Sequence, residues 1–386
     1  MRVLVLESVS GLHERVESKL FPEGFAILRA LTGEFSEAGI ETVSTINNNA
    51  GQKYEKWLRA DKLFNHDKIN RAVESDPDAA LVVAPETNGE LRTITEKLER
   101  EEIPVLGLGG NSIGVSGDKW STYGRLREKV PQPKTWFRPP DLEDPMVSKP
   151  RFGVGSEGVR IESSPSENKK NKIFQEYIEG EHLSSCLLLG EDEGVVLSLN
   201  RQIMRSQKEG ISYSGNVIPF EGPNSERVEC EKLALEAAES LGMRGFCGVD
   251  LVLSETPYFI EANPRVTTSF VGLTRIVQKN LGELLIETLL EGEKIERPEL
   301  EGVSILRIPE LRRKTDIDVK SLEELEDIPE IFAPPFPHGG CLESGDELFV
   351  SVGHGSSREE AEKSLEEGIE KALRVLEVDK DDIAWP

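Results

Sequence analysis

Apolar and polar positions over the first 114 residues switch between two periods. Residues 2–6, 40–46, 79–84 and 103–108 are short runs rich in branched apolar side chains, which predicts strands. Between the first two, residues 22–38 place Phe25, Leu28, Leu31 and Phe35 on one helical face. Pro22 sits in the first turn of that helix and Gly39 at its end. Residues 54–73 read as largely helical and 91–100 as another helix. This alternation predicts a parallel α/β domain. Ligands in such sheets bind beyond the carboxyl ends of the strands. Residues 7–11, 85–89 and 109–112 are therefore candidate site loops, with plain tight turns as the alternative.

After residue 114 the pattern changes. Asp118 is placed to cap a helix running to about residue 127. A Pro131-Gln132-Pro133 linker leads to strands at 134–137 and 146–149. A G-x-G-x-x-G follows at Gly153, Gly155 and Gly158. As a dinucleotide fingerprint it should open a helix, but Val159-Arg160-Ile161 reads as strand, and no Gly-Lys-Ser/Thr closes a Walker loop. The run reads better as a flap whose bare N–H groups close over phosphates, with Lys149 reaching in from the preceding strand. A ligand-free flexible hairpin has the same sequence character. Residues 173–178, 183–189 and 195–203 are strand-like. Apolar side chains and free backbone groups where the first of these ends form a candidate adenine slot, and Glu181 after Gly180 is placed to accept from ribose hydroxyls. Ser225 is the expected cap of a helix through Leu241, which Gly242 ends.

A hairpin is expected where residues 248–253 and 258–265 flank Ser254-Glu255-Thr256-Pro257. If 254 faces 257, then Leu253 pairs with Tyr258 and Asp250 with Glu261, and Asn263 lies two residues further along the same face. Like charges opposite one another destabilise a sheet unless something neutralises them. Three oxygen-bearing side chains suit Mg²⁺ or Mn²⁺ bridging to a phosphate. Two acids facing water are the alternative. Beyond Gly302 come a strand at 303–307, a short helix at 321–326, a stiff Pro-rich loop at 334–340 and a strand at 347–353. A Ser357-to-Glu360 capping box then opens a long amphipathic helix.

Composition narrows the classes. With 386 residues, 37% hydrophobic and 30% charged, the chain has material for two or three globular domains. A formal charge of -25 argues against nucleic acid and anionic membranes as partners, and requires placed cations for any anionic substrate. No apolar run approaches a membrane span and no signal-peptide pattern opens the chain. Cys186, Cys230, Cys247 and Cys341 are scattered without a CxxC pair, which points to reduced thiols in a cytoplasmic protein. The five histidines lack zinc-site spacing.

Taken in this order, residues 118–265 resemble the ATP-grasp superfamily, and the N-terminal α/β part fits the half-Rossmann domain that usually precedes it. The resemblance implies an α/β fold turning α+β in the second half. Its parts would be a half-Rossmann parallel sheet over 1–114, a lid with the flap over 115–183, and a core over 184–386 with a C-terminal extension from about 300. Lys119 and Lys149 look like the family's two phosphate- or adenine-contacting lysines, with Gly153, Gly155 and Ser156 in the flap. Gln175, Glu176, Tyr177 and Ile178 look like the adenine hinge and Glu181 like the ribose acid. Asp250, Glu261 and Asn263 look like the metal ligands. Arg265 looks like the arginine near the γ-phosphate and, with Lys149, is the expected catalytic pair. ATP with Mg²⁺ or Mn²⁺ is implied, as are a small-molecule carboxylate and an amine as substrates.

Within the superfamily, Glu7-Ser8-Val9-Ser10-Gly11, the run Pro22-Glu23-Gly24-Phe25-Ala26-Ile27-Leu28-Arg29-Ala30-Leu31 and Asn200-Arg201-Gln202 resemble the archaeal tyramine–L-glutamate ligase group of methanofuran biosynthesis. A γ-glutamyl amide product would follow. Such an enzyme needs no nucleophile of its own, in keeping with a chain that has no convincing Ser-His-Asp or Cys-His constellation. Competing readings are a non-catalytic ATP-binding regulatory module, an oxidoreductase built on the 153–158 glycines, a biotin-type carboxylase, or a ligase for another amino acid and amine. A homodimer is the default oligomer.

Overall fold

The computed structural model describes residues 1–386 except 142–143, 154, 156–157, 163–170, 208–209 and 386, and without the side chains of 51, 52 and 207. Among the described residues, sheets of four, four and eight strands organise the chain.

The first sheet holds β1 (Arg2–Glu7), β2 (Glu41–Ile46), β3 (Lys62–Asn65) and β4 (Ala79–Val83), in the order β3-β2-β1-β4 and all parallel. β4 is buried throughout, as a parallel strand covered on both faces must be. Helices α1 (Ser8–Gly11), α2 (Phe21–Glu37), α3 (Asn48–Tyr54), α4 (Ile69–Val73) and α5 (Glu90–Arg100) connect and flank these strands.

Two expectations fail in this part. Residues 54–73 are not one helical stretch, because β3 interrupts them. β3 is an edge strand with both ends exposed, so no apolar run announces it. Residues 103–108 do not form a strand. Only Val105 bridges to Ala80, and Pro104, which has no N–H, offers the ladder only its carbonyl, 2.8 Å from the Ala80 N–H. α2 also differs from an ordinary one-faced helix. Eleven of its 17 residues are buried, because it lies between β1 on one side and Leu281–Ile286 and Ile331–Ala333 on the other.

α6 (Gly110–Ser116) and α7 (Lys119–Leu126) lead to the antiparallel second sheet, ordered β5 (Thr135–Trp136), β8 (Lys172–Glu176), β6 (Met146–Pro150), β7 (Arg160–Glu162). The third sheet is antiparallel as well. It begins β13 (Pro257–Asn263), β12 (Gly245–Leu253), β9 (Glu181–Leu189), β10 (Gly194–Gln207), β11 (Gly210–Ile218), β14 (Val303–Arg307), and ends with Val350–Gly355 and Ile331–Ala333. Residues beyond 302 thus supply three of its eight strands. α8 (Asn224–Leu241) covers β10, β12 and β13. It begins one residue before the expected cap: Pro223 holds the N-cap position without a side-chain bond, and Ser225 lies inside the first turn. Gly242 ends it at φ +69°, a left-handed conformation that favours glycine. All four cysteines are free thiols, and no helix among the described residues is long and apolar enough to cross a membrane.

Candidate active site

The β12–β13 hairpin sets two acids face to face. Leu253 pairs with Pro257, Val252 with Tyr258 and Leu251 with Phe259. The turn is therefore one residue shorter than expected. Ile260 is then an extra residue, and this bulge restores Asp250 opposite Glu261, with Gly248 opposite Asn263. The Ile260 carbonyl, released from the regular ladder, accepts from Lys149 Nζ at 3.4 Å. Asp250 Oδ1 accepts from Gln202 Nε2 and Oδ2 from Asn263 Nδ2, each at 3.1 Å. Glu261 Oε2 lies 3.4 Å from Lys119 Nζ and 3.8 Å from Lys149 Nζ.

Burial acts against charge on Asp250, Glu261 and Lys149, and their charged neighbours decide the outcome. Burial, then repulsion by Glu261, pushes Asp250 up to about 7. Glu261 is also penalised by burial, but Lys119 and Lys149 outweigh that and hold it below the ordinary range. Lys149 is 3% exposed, and burial brings its ammonium down to about 8 despite the attraction of Glu261.

Asp118 caps α7 by accepting the Trp120 N–H at 3.1 Å, and also binds Arg151 Nε at 2.6 Å, which ties the foot of the glycine flap to the helix. Lys119, the first residue of α7, donates from Nζ to the Gly153 carbonyl at 3.0 Å. In the flap, Gly155 and Gly158 take φ of +62° and +69°. Ser156 lies outside the described residues.

Lys119, Lys149 and Gly153 wall one side of a cavity of about 120 Å³. Val147, Met204 and Ile211 make it apolar, residues 175–178 run along its edge, and Asp250 and Glu261 close it. Gln175 is anchored through Nε2 to Thr135 Oγ1 at 3.1 Å, and Glu176 takes the Lys134 N–H. Glu181 stands apart from this wall, its carboxylate paired with Arg201.

A second cavity, of about 150 Å³, opens on the other side of the same two acids. Glu7, Glu23, Pro85, Tyr213, Arg265 and Thr268 face it, as do Asn263, Gly155 and Gln202. Two of the three expected loops reach it. The third does not: residues 110–112 are the first turn of α6, and the Gly110 N–H is taken by Glu99 Oε1 at 3.1 Å. Glu7 caps α1, accepting from the Val9 and Ser10 N–H groups at 3.0 and 2.6 Å. Arg265 Nε sits 3.1 Å from Glu86 Oε1 of the β4–α5 loop.

Comparison with known proteins bears on this geometry. A family model for the ATP-grasp domain matches residues 116–269. The tyramine–L-glutamate ligase of Methanocaldococcus fervens is 32% identical over 57% of this chain and 69% of its own length. Its counterpart from Methanocaldococcus jannaschii is 33% identical over 70% of this chain and 84% of its own. The chain belongs to the ATP-grasp ligase family. A crystal structure of an ATP-grasp superfamily protein from Archaeoglobus fulgidus superposes with a TM-score of 0.66 at 25% identity, covering 91% of this chain and 98% of that one.

For an ATP-grasp chain the donor set fits a hard cation. Among the described residues no three His, Cys, Asp or Glu side chains gather closely enough to hold an ion alone. Two carboxylates and the Asn263 amide oxygen leave positions for phosphate oxygens, the usual arrangement for Mg²⁺. Sequence reasoning missed several of the residues around them. Met204, Ile211 and Tyr213 come from β10 and β11 and Thr268 from the segment after β13, whereas Glu86 lies in the expected 85–89 loop and Glu23 and Gln202 fall in the runs that carried the resemblance. The one available signal was the polar Asn200-Arg201-Gln202 run in an otherwise apolar strand.

Proposed function

We propose that this ATP-grasp chain joins a small-molecule carboxylate to an amine, consuming ATP and releasing ADP and phosphate. The observation that carries the reading is the meeting of two cavities at Asp250 and Glu261. One has lysines and an apolar slot suited to a nucleotide, and the other has room for small polar molecules. Lys119, Lys149 and the flap glycines would hold the triphosphate, residues 175–178 the base, and Asp250, Glu261 and Asn263 a Mg²⁺ or Mn²⁺ ion. Bound there, the ion would neutralise charge on the β- and γ-phosphates.

In the reaction, a carboxylate oxygen attacks the γ-phosphorus and the bond to the ADP oxygen breaks. The amine then attacks the acyl carbon, loses a proton, and phosphate leaves. Catalysis on these terms is placement and charge neutralisation, with Lys149 and Arg265 as the catalytic cations. The relatives' activity supports L-glutamate and tyramine as the first pair to try, with γ-glutamyltyramine as product. An ADP-release assay crossing amino acids with amines tests the reading. ADP and phosphate in equal amounts with amide are expected. AMP and pyrophosphate would overturn the mechanism, and ATP binding without turnover on any pair would favour a regulatory module.

A further inference from the structure

Most acids around the second cavity have evident partners. Glu7 caps a helix, Glu86 holds Arg265, and Asp250 and Glu261 face amides and lysines. Glu23 is different. It lies in the first turn of α2 on the cavity wall, where it accepts from Thr268 Oγ1 at 2.5 Å. Behind it is Glu347, 6% exposed, whose carboxyl meets that of Glu23 and whose Oε2 has no hydrogen-bond partner. Neither forms an ion pair among the described residues; Lys19, an exposed residue, acts on Glu347 only at longer range. Burial, and then Glu23 itself, pushes the Glu347 carboxyl well above the ordinary range. Two carboxyls in contact, one buried and one facing a cavity, are costly unless a cation arrives between them.

We infer that the Glu23–Glu347 pair receives a primary ammonium group of one of the two substrates, an assignment that rests on the ligase reading above. Glu23 makes the contact, and Glu347 supplies the second negative charge from behind. The ammonium displaces the proton that the buried Glu347 carboxyl otherwise holds, and the proton leaves to solvent. Leu20 and Ile27 beside Glu23 give the same pocket apolar wall for a carbon skeleton.

Calorimetric titration of the intact protein tests this, with Mg²⁺ and a non-hydrolysable ATP analogue present. Two matched pairs serve as probes: L-glutamate against glutarate, and tyramine against 4-ethylphenol. One amino compound should bind roughly tenfold or more tightly than its amino-free partner, as a charged hydrogen bond allows. Glu23→Gln and Glu347→Gln should each remove that preference. Preference in the glutamate pair assigns the α-ammonium of the carboxylate substrate, and preference in the tyramine pair assigns the amine. Because glutamine keeps the shape of the uncharged carboxyl that burial favours at position 347, the melting temperature of Glu347→Gln should hold or rise, whereas a purely structural role would lower it and leave the preference intact. Equal binding within both pairs, no binding by any probe, or a Glu23→Gln protein that keeps the preference would overturn the assignment. ADP release is scored separately. Turnover with the preference untouched by the variants sinks this inference alone, and preference without turnover sinks the ligase reading alone.

Discussion

Replacing Lys149 by methionine should stabilise the nucleotide-free protein while destroying its use of ATP. The residue is 3% exposed, and burial lowers its ammonium from 10.5 to about 8. At about 1.36 kcal/mol per pH unit, the gap amounts to about 3 kcal/mol against the fold, with the attraction of Glu261 already included. Methionine keeps the length and apolar stem and removes the charge. For a chain of 386 residues melting as one unit, the gain is roughly 4 °C.

The pH dependence fixes the sign. Below pH 8 lysine is charged in both states, so the full penalty is present. As pH rises from 8 to 10.5 the unfolded chain still binds a proton that the fold rejects, and the penalty shrinks; above 10.5 it vanishes. Scanning calorimetry of both proteins at pH 7 to 10.5, with chelator and no nucleotide, should show an advantage for the variant that closes over that interval. Adding Mg²⁺ and ATP should stabilise only the wild type. A variant that melts lower at pH 7, or an advantage independent of pH, would refute the electrostatic account of this lysine.

Three further outcomes are expected. Glu261→Gln should cut ADP release by roughly a thousandfold in a coupled assay, with the circular dichroism spectrum and melting temperature retained; comparable turnover would remove Glu261 from the metal and phosphate machinery. Gly24→Ala would place a methyl 2.6 Å from Glu7 Oε1, so the buried carboxylate must move, and urea melts should show a loss of about 1–3 kcal/mol; an unchanged midpoint would mean the contact relaxes freely. Glu86→Gln should weaken the hold on Arg265 and lower kcat roughly tenfold while the KM for ATP stays within about twofold; a rise in the KM for ATP alone would place Arg265 in nucleotide binding rather than at the reacting group.

What could be read from the chain depended on how local the signal was. The hairpin acids were legible because strand alternation fixes which residues share a face, and their pairing survived an error in the turn. The loop is one residue shorter than expected, and the Ile260 bulge compensates. Nothing in the sequence announces that bulge, although it frees the carbonyl that Lys149 uses. β3 was hidden because an edge strand need not be apolar, and 103–108 misled because its apolar run contains Pro104. The Glu23–Glu347 contact joins residues more than three hundred positions apart, through a sheet that residues beyond 302 complete. Only the fold brings them together.

The fate of one oxygen atom tests the proposed chemistry most directly. With the carboxylate substrate labelled with ¹⁸O, and starting from glutamate and tyramine, the phosphate released during amide formation can be analysed by mass spectrometry. Attack of the carboxylate on the γ-phosphorus predicts one labelled oxygen in each phosphate formed, in step with ADP and amide. Unlabelled phosphate, or label carried into AMP, would contradict it.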